Sequence, residues 1–282
     1  MKDMLQPGFG IEVPRWVVMW GVAGLMFGIA KGLTLWEARQ RRGALPVGRT
    51  AAYLLLWVGM DVRLFLQRSE IQRGWACAAP GVAKAIIGAV LLWGVAPMFD
   101  EVAAGWIGMT GMVLVLHFGL FHLLAVFWAR RGVAVEPIMN RPLQARTLAE
   151  FWGERWNRAF NELMYRFVFR RALRWVGPAG AVLVVFFASG LIHDLAISVP
   201  AGGGCGWPTI YFLAQGIGLL VQRTSAARRN GWAEGWKGRI FTGFVLVAPL
   251  PLLFHGAFIE RVILPFMEVI GAGPAIQIGG SL

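Results

Sequence analysis

The sequence predicts an all-α integral membrane protein, a polytopic bundle of about 6–8 transmembrane helices with further helices in the interface. Three observations predict it. The 282 residues are 57% apolar and only 15% charged, where a soluble domain averages roughly 45–50% and about 25%. Mean hydropathy is +0.60. Apolar runs of about 20 residues, enough to cross ~30 Å of hydrocarbon, recur along the whole length. A soluble enzyme, a disordered chain and a secreted disulfide scaffold are excluded. The chain, 1–282, reads as one membrane-embedded domain.

The opening MKDMLQPGFGIEVPRW carries acids in its first dozen residues and no small-residue cleavage site, so it reads as a retained N-terminus. Spans are expected at 16–35, 81–99, 102–128, 179–199, 207–222 and 240–259, each bounded by charges or by Gly and Pro. Pro249 and Pro251 are expected to kink the last of these. The run AAYLLLWVGM at 51–60, between Arg49 and Arg63, is too short to span and reads as an interfacial or re-entrant helix. No internal repeat is visible, which argues against an inverted-repeat transporter.

The net charge of +12, from 27 Lys+Arg against 15 Asp+Glu, is explained by topology rather than by nucleic acid, since basic residues gather in cytoplasmic loops. Residues 37–49 hold Arg39, Arg41, Arg42 and Arg49, and 223–239 hold Arg223, Arg228, Arg229, Lys237 and Arg239. The stretch 129–178 carries ten Arg and four Glu, a net of +6. The 100–105 loop has Asp100 and Glu101 without a base, and PAGGGCG at 200–206 has no charge. Placing the basic loops inside gives one consistent alternation with the N-terminus outside. Cys77 and Cys205 form neither a metal pattern nor a disulfide framework, and no metal is expected.

The 50-residue connection holds TLAEFWGERWNRAFNELMYRFVFRRALRW, 147–175. Thr147 followed by Glu150 is a capping box, so a helix should start there. Trp152, Trp156, Phe160, Leu163 and Phe167 share one broad face, and Arg166, Arg170 and Arg174 form a basic stripe. An amphipathic interfacial helix accounts for both. It does not account for Asn157 and Asn161.

The following span contains His193 and Asp194. Entering near Ala179, the helix reaches His193 after roughly 21 Å, a depth at which an ionisable group marks a functional site by default. Ser189, four residues earlier on the same face, is placed to fix the imidazole by a hydrogen bond. Asp194 points about 100° away on an ideal helix, which makes it a poor candidate to orient its neighbour, and it is expected to line the same cavity. His117 and His122, five residues apart, lie about 140° out of phase and cannot readily share one metal.

The stretch PIMNRPLQARTLAEFWGERWN followed by SGLIHD resembles the wax-synthase branch of the membrane-bound O-acyltransferases, which reads broadly as a Pro-containing lead-in, FWGxRWN and SGxxHE. Phe151, Trp152, Glu154, Trp156 and Asn157 match its aromatic–acid–Trp–Asn frame, and His193 follows Asn157 by 36 residues. The resemblance covers the motif core, roughly 137–199. Asp194 stands where that branch more often has Glu, and Glu154 where it often has a base.

The resemblance implies an acyl-CoA-dependent O-acyltransferase that esterifies a lipid alcohol, with no permanently bound cofactor and acyl-CoA as co-substrate. It implies His193 as the base that takes the hydroxyl proton and Asn157 as its partner at the thioester. Substrate contacts are expected from Trp152, Trp156, Glu154, Arg155, Arg158, Ser189 and Asp194, with Arg155, Arg158 and Arg166 toward the phosphates of CoA. Two alternatives stand beside it. One is transfer of a short acyl or acetyl group to a sterol, polyketide or sugar hydroxyl. The other is a haem-binding electron carrier using His117, His122, His193 and His255. Partners are membrane lipids, acyl-CoA and an alcohol, not nucleic acid. The compact chain without a targeting extension points to a multi-pass protein of the bacterial inner membrane.

Overall fold

The computed structural model describes residues 13–69 and 74–275. The retained N-terminus expected for the first dozen residues therefore lies outside the described residues. The fold is all-α, and among the described residues an isolated bridge between Arg68 and Val133 is the only β pairing.

Helix α1 (Arg15–Arg42) starts behind Pro14 and stops at Gly43, whose φ of 72° ends a helix without strain. The short run becomes α2 (Val47–Leu56) and α3 (Val62–Leu66), with Asp61 capping α3 through Arg63 N at 2.7 Å and Leu64 N at 3.1 Å. Its Tyr53, Trp57 and Phe65 are buried against Leu35, Ala38, Ala125 and Ala129. The element is thus folded back onto the bundle, as expected for a segment too short to cross. Lys31, 2% exposed in mid-α1, holds it there. Its Nζ donates to the carbonyls of Tyr53 at 3.0 Å and Gly59 at 2.7 Å, and lies 3.6 Å from the centre of the Tyr53 ring.

Helices α4 (Trp75–Met98) and α5 (Glu101–Arg130) form a tight hairpin. Asp100 caps α5 through Ala103 N at 3.1 Å, so the acidic loop is a helix start. Gly88 and Gly111 let the two backbones touch, since a Cβ on Gly88 would lie 2.7 Å from Gly111 O. The turns at 148–155 form α6, and α7 spans Arg158–Ala201 with a break at Gly177 (φ 68°, ψ −179°) before Pro178. Proline at the first position of a helix loses no hydrogen bond, so the pair separates an amphipathic 158–176 from a membrane segment, close to the expected start at 179. Next come α8 (Trp207–Gln222), α9 (Ser225–Arg229), α10 (Gly235–Leu253) and α11 (Gly256–Val269).

Among the described residues four helices, α1, α4, α5 and α7, are long and apolar enough to cross a membrane, and five spans result if α10 and α11, bent by 60°, form one broken span. That is fewer than the 6–8 expected. The difference is in α8, which has 16 residues, or about 24 Å at 1.5 Å per residue. Its Tyr211, Phe212, Gln215 and Leu219 are buried, so it serves as an inner wall against α7. The break between α10 and α11 falls just after the Pro249–Pro251 pair.

The charge sorting has a structural counterpart. Glu37 near the end of α1 pairs with Arg166 at 2.8 Å, which joins two basic segments on one side. At the other end of α1, Arg15 Nη1 donates to Ala201 O at 2.6 Å, beside the uncharged 200–206 loop.

Candidate active site

Thr147 caps α6 as its spacing predicts, accepting from Glu150 N at 3.1 Å. The Glu150 carboxylate accepts from Arg146 N at 2.7 Å and from Arg155 Nε at 2.7 Å. The Arg146 backbone N–H, reinforced by the Arg155 guanidinium, holds the Glu150 carboxyl below the usual carboxylate range. Leu148 N donates to Gln222 Oε1 at 2.8 Å, tying α6 to the end of α8.

The expected single helix over 147–175 is interrupted at Asn157, which has φ 40° and ψ 59°. Asparagine tolerates this left-handed conformation because its short amide can bond locally. Its Oδ1 accepts from Phe160 N at 3.2 Å and starts the next helix. With the oxygen fixed as acceptor, the Nδ2 amide has no hydrogen-bond partner among the described residues. The lead-in segment braces the corner through Asn140 N to Arg155 O at 2.8 Å and Arg158 N to Ile138 O at 2.9 Å. Asn161 Nδ2 donates to Gly153 O at 2.8 Å, which explains the second asparagine.

The aromatic residues divide into two directions. Trp156 stacks on Phe151 at 5.5 Å and meets Phe118 at 6.1 Å. Trp152 turns toward the membrane helices, against Phe186 at 5.9 Å and Phe212 at 5.7 Å. Its indole Nε1 is buried without a hydrogen-bond partner, an uncommon state for so good a donor.

His193 also lies against Phe212, with ring centres 4.3 Å apart, and meets Phe160 edge-on at 6.2 Å. Asn157 and His193 are therefore linked through Phe160, whose amide the asparagine caps. His193 Nδ1 is 2.7 Å from Ser189 O. A carbonyl only accepts, so Nδ1 carries the proton and the neutral ring keeps its lone pair on Nε2. The expectation that Ser189 fixes the imidazole is met by its backbone. Its hydroxyl donates instead to Val185 O at 2.8 Å.

Asp194 faces a different group. Its carboxylate accepts from Ser198 Oγ at 2.9 Å, Gly206 N at 2.8 Å, Thr209 N at 3.2 Å and Thr209 Oγ1. The Gly206 and Thr209 donors lie at the start of α8, where Gly206 at the cap position has no side chain to satisfy them. A negative charge there also complements the helix dipole. The signal was present in sequence: PAGGGCGWPT offers α8 no acidic or amide N-cap of its own. Close by, Gly190 lets α7 approach α8, since a Cβ at that position would lie 2.5 Å from Thr209 Cα.

The remaining candidates are dispersed. Arg155 also donates to the carbonyls of Asn140 and Arg141, each at 3.3 Å, and Arg158 pairs with Glu136 at 2.5 Å. Both brace the loop. Glu154 is exposed. His122 bonds Cys77 O at 2.8 Å, whereas His255 Nδ1 accepts from Phe258 N at 3.3 Å and its Nε2 lies 3.3 Å from Ser198 Oγ. His122, His193 and His255 thus have separate partners, and His117 Nδ1 is buried without a hydrogen-bond partner among the described residues.

Residues 135–214 match the membrane bound O-acyl transferase family. The chain is 30% identical over 151 residues to the long-chain-alcohol O-fatty-acyltransferase of Simmondsia chinensis, covering 48% of this chain and 43% of the relative. It is 28% identical over 149 residues to the probable long-chain-alcohol O-fatty-acyltransferase 9 of Arabidopsis thaliana, covering 46% and 43%. The probable enzyme 3 of the same plant matches at 30% over 159 residues, covering 49% and 45%. The chain thus spans somewhat less than half the length of these relatives. The matched segment includes the Asn157 corner, the His193 turn and the start of α8, so the chain is similar to the membrane bound O-acyl transferase family in the residues that build this site.

Proposed function

We propose that the protein is an acyl-CoA-dependent O-acyltransferase that esterifies a long-chain alcohol, with His193 as general base. The observation that carries the proposal is the His193 tautomer. Nδ1 is held by Ser189 O, and the basic Nε2 has no partner among the described residues. An imidazole so oriented accepts a proton without first rotating. The names of the plant relatives support the long-chain alcohol as acceptor.

The alcohol's hydroxyl proton passes to Nε2 as its oxygen attacks the thioester carbonyl. The C–S bond of the tetrahedral intermediate then breaks, and the imidazolium proton leaves on the CoA sulfur, restoring the neutral base. Negative charge grows on the carbonyl oxygen and needs donors. The Nδ2 amide of Asn157 and the unpaired indole N–H of Trp152 supply that need in this reading.

The test is ester formation by the detergent-purified protein with radiolabelled palmitoyl-CoA or acetyl-CoA, each with hexadecanol, diacylglycerol or no acceptor. Hexadecyl palmitate is the expected product, and His193→Ala should lower its rate by about 10²–10⁴. Asn157→Asp keeps the acceptor that caps the helix and removes the amide donor, so it should fold and lose rate. Ester production undiminished by His193→Ala refutes the mechanism. A preference for acetyl-CoA refutes the long-chain donor.

A further inference from the structure

A cleft of about 330 Å³ lies between the end of α1 and the 158–176 part of α7, lined by Glu37, Arg41, Arg166, Arg170, Arg171 and Arg174. Five arginines face one carboxylate, a net of +4, and the nearby Glu162 brings this to +3. The inner wall is already neutralised. Arg166 pairs with Glu37 at 2.8 Å and Glu162 at 3.3 Å, and Arg41 pairs with Glu37 at 2.7 Å. Arg171 donates to Phe167 O at 2.6 Å. Arg170 and Arg174, one helical turn apart, are exposed and have no side-chain partner among the described residues.

Two unpaired guanidinium forks at the mouth of a basic cleft repel each other until an anion joins them. Their planar geometry suits oxygens of a tetrahedral anion better than a point charge would. The cleft also has a defined height. Trp175, 87% exposed, follows Arg174 directly, and the Gly177–Pro178 break then begins the membrane segment. An exposed tryptophan beside a span marks headgroup level.

We infer that this cleft is a phosphate-binding site in which Arg170 and Arg174 hold the phosphate oxygens and Arg171 adds positive charge, with Arg41 and Arg166 paired to carboxylates behind them. A phosphate can arrive there on the nucleotide end of CoA or on an anionic phospholipid headgroup. The first source rests on the function proposed above, and the second does not.

The experiment measures binding of free CoA, and separately of dihexanoyl-phosphatidylglycerol against dihexanoyl-phosphatidylcholine, to the full-length protein in detergent. The parent is compared with Arg170→Gln/Arg174→Gln and with an equal charge change elsewhere, Arg228→Gln/Arg229→Gln. Both cleft side chains are exposed, so the double variant should fold, and its melting temperature checks this. We expect affinity for a phosphate ligand to fall about tenfold per arginine removed, with no change in the control pair. Weakened CoA binding assigns the cleft to the donor, whereas weakened phosphatidylglycerol binding alone assigns it to a lipid. A parent that binds neither ligand, or a cleft variant that binds both as the parent does, overturns the inference. Ester formation with CoA and lipid affinities unmoved by the cleft variant overturns only the cleft. CoA binding through these arginines without ester formation overturns only the proposed reaction.

Discussion

Replacing Gly190 with alanine should damage the site through one methyl group. An ideal Cβ at Gly190 lies 2.5 Å from Thr209 Cα, more than an ångström inside the ordinary separation of about 3.5–4.0 Å between carbons. The obstructing atom is backbone, so no rotamer change relieves it, and α7 and α8 must move apart. Overpacking of this kind costs about 1–3 kcal/mol, against a gain of roughly 0.5–1 kcal/mol from removing a helical glycine. The net destabilisation should lie between about 0 and 2.5 kcal/mol, toward the upper end because the obstructing atom is backbone. The same displacement pulls Phe212 from His193 and stretches the Asp194 bonds to Thr209. The assay is thermal unfolding followed by tryptophan fluorescence in detergent, with ester formation measured beside it. Gly21→Ala is the control, because nothing lies within 4 Å of a Cβ there, and it should unfold no earlier than the parent. Gly190→Ala with parental melting and parental rate would refute the claim that this contact sets the helix spacing.

Two other perturbations test the supports around the site. Asp194→Ala leaves the Gly206 and Thr209 donors without their acceptor, and should destabilise by about 3 kcal/mol, since hydrogen bonds to a charged group contribute ~1.5–3 kcal/mol each and do not add fully. Asp194→Asn, which retains one oxygen, should fall between, and equal melting of all three proteins would sink the capping role. Lys31→Met keeps the length of the side chain but leaves the Tyr53 and Gly59 carbonyls unpaired. It should cost about 2 kcal/mol and speed proteolysis within 47–68 before the rest of the chain, and an unaltered digestion pattern would count against it.

What could be read without the structure follows the range of the physics involved. The membrane segments other than 207–222, the Thr147 cap and the asymmetry of loop charge depend on residues within a few positions of each other, and they were legible. So was the short run at 51–60, because length alone forbids it to cross. Asn157 was legible as an oddity, but its left-handed corner was not, because helical periodicity runs through 147–175 without a glycine or proline at the break. Arg155 and Arg158 looked like anion ligands until their partners, Glu150 and Glu136, were brought beside them by the fold. The arginine cleft shows the same division. The stripe of Arg166, Arg170 and Arg174 is visible in the spacing, whereas Arg41 joins it from a helix more than a hundred residues earlier.

The adjacency of His193 and Asp194 is the point where fold and proposed chemistry are hardest to separate. Successive helical residues point about 100° apart, so the pair cannot share one task, and each is held by a different partner. The histidine is fixed from its own helix by Ser189 O, and the aspartate reaches across to α8. The helix that Asp194 caps is the one that presses Phe212 against the imidazole. One residue therefore sets the wall that its neighbour works against, and the widened turns at 194–198 give both side chains room to diverge. On this geometry a defect at Asp194 reaches His193 through the position of Phe212 rather than through its charge. Loss of rate in Asp194→Asn should then track the loss of melting temperature, and a variant that melts like the parent yet loses its rate would show that the carboxylate acts on the imidazole directly.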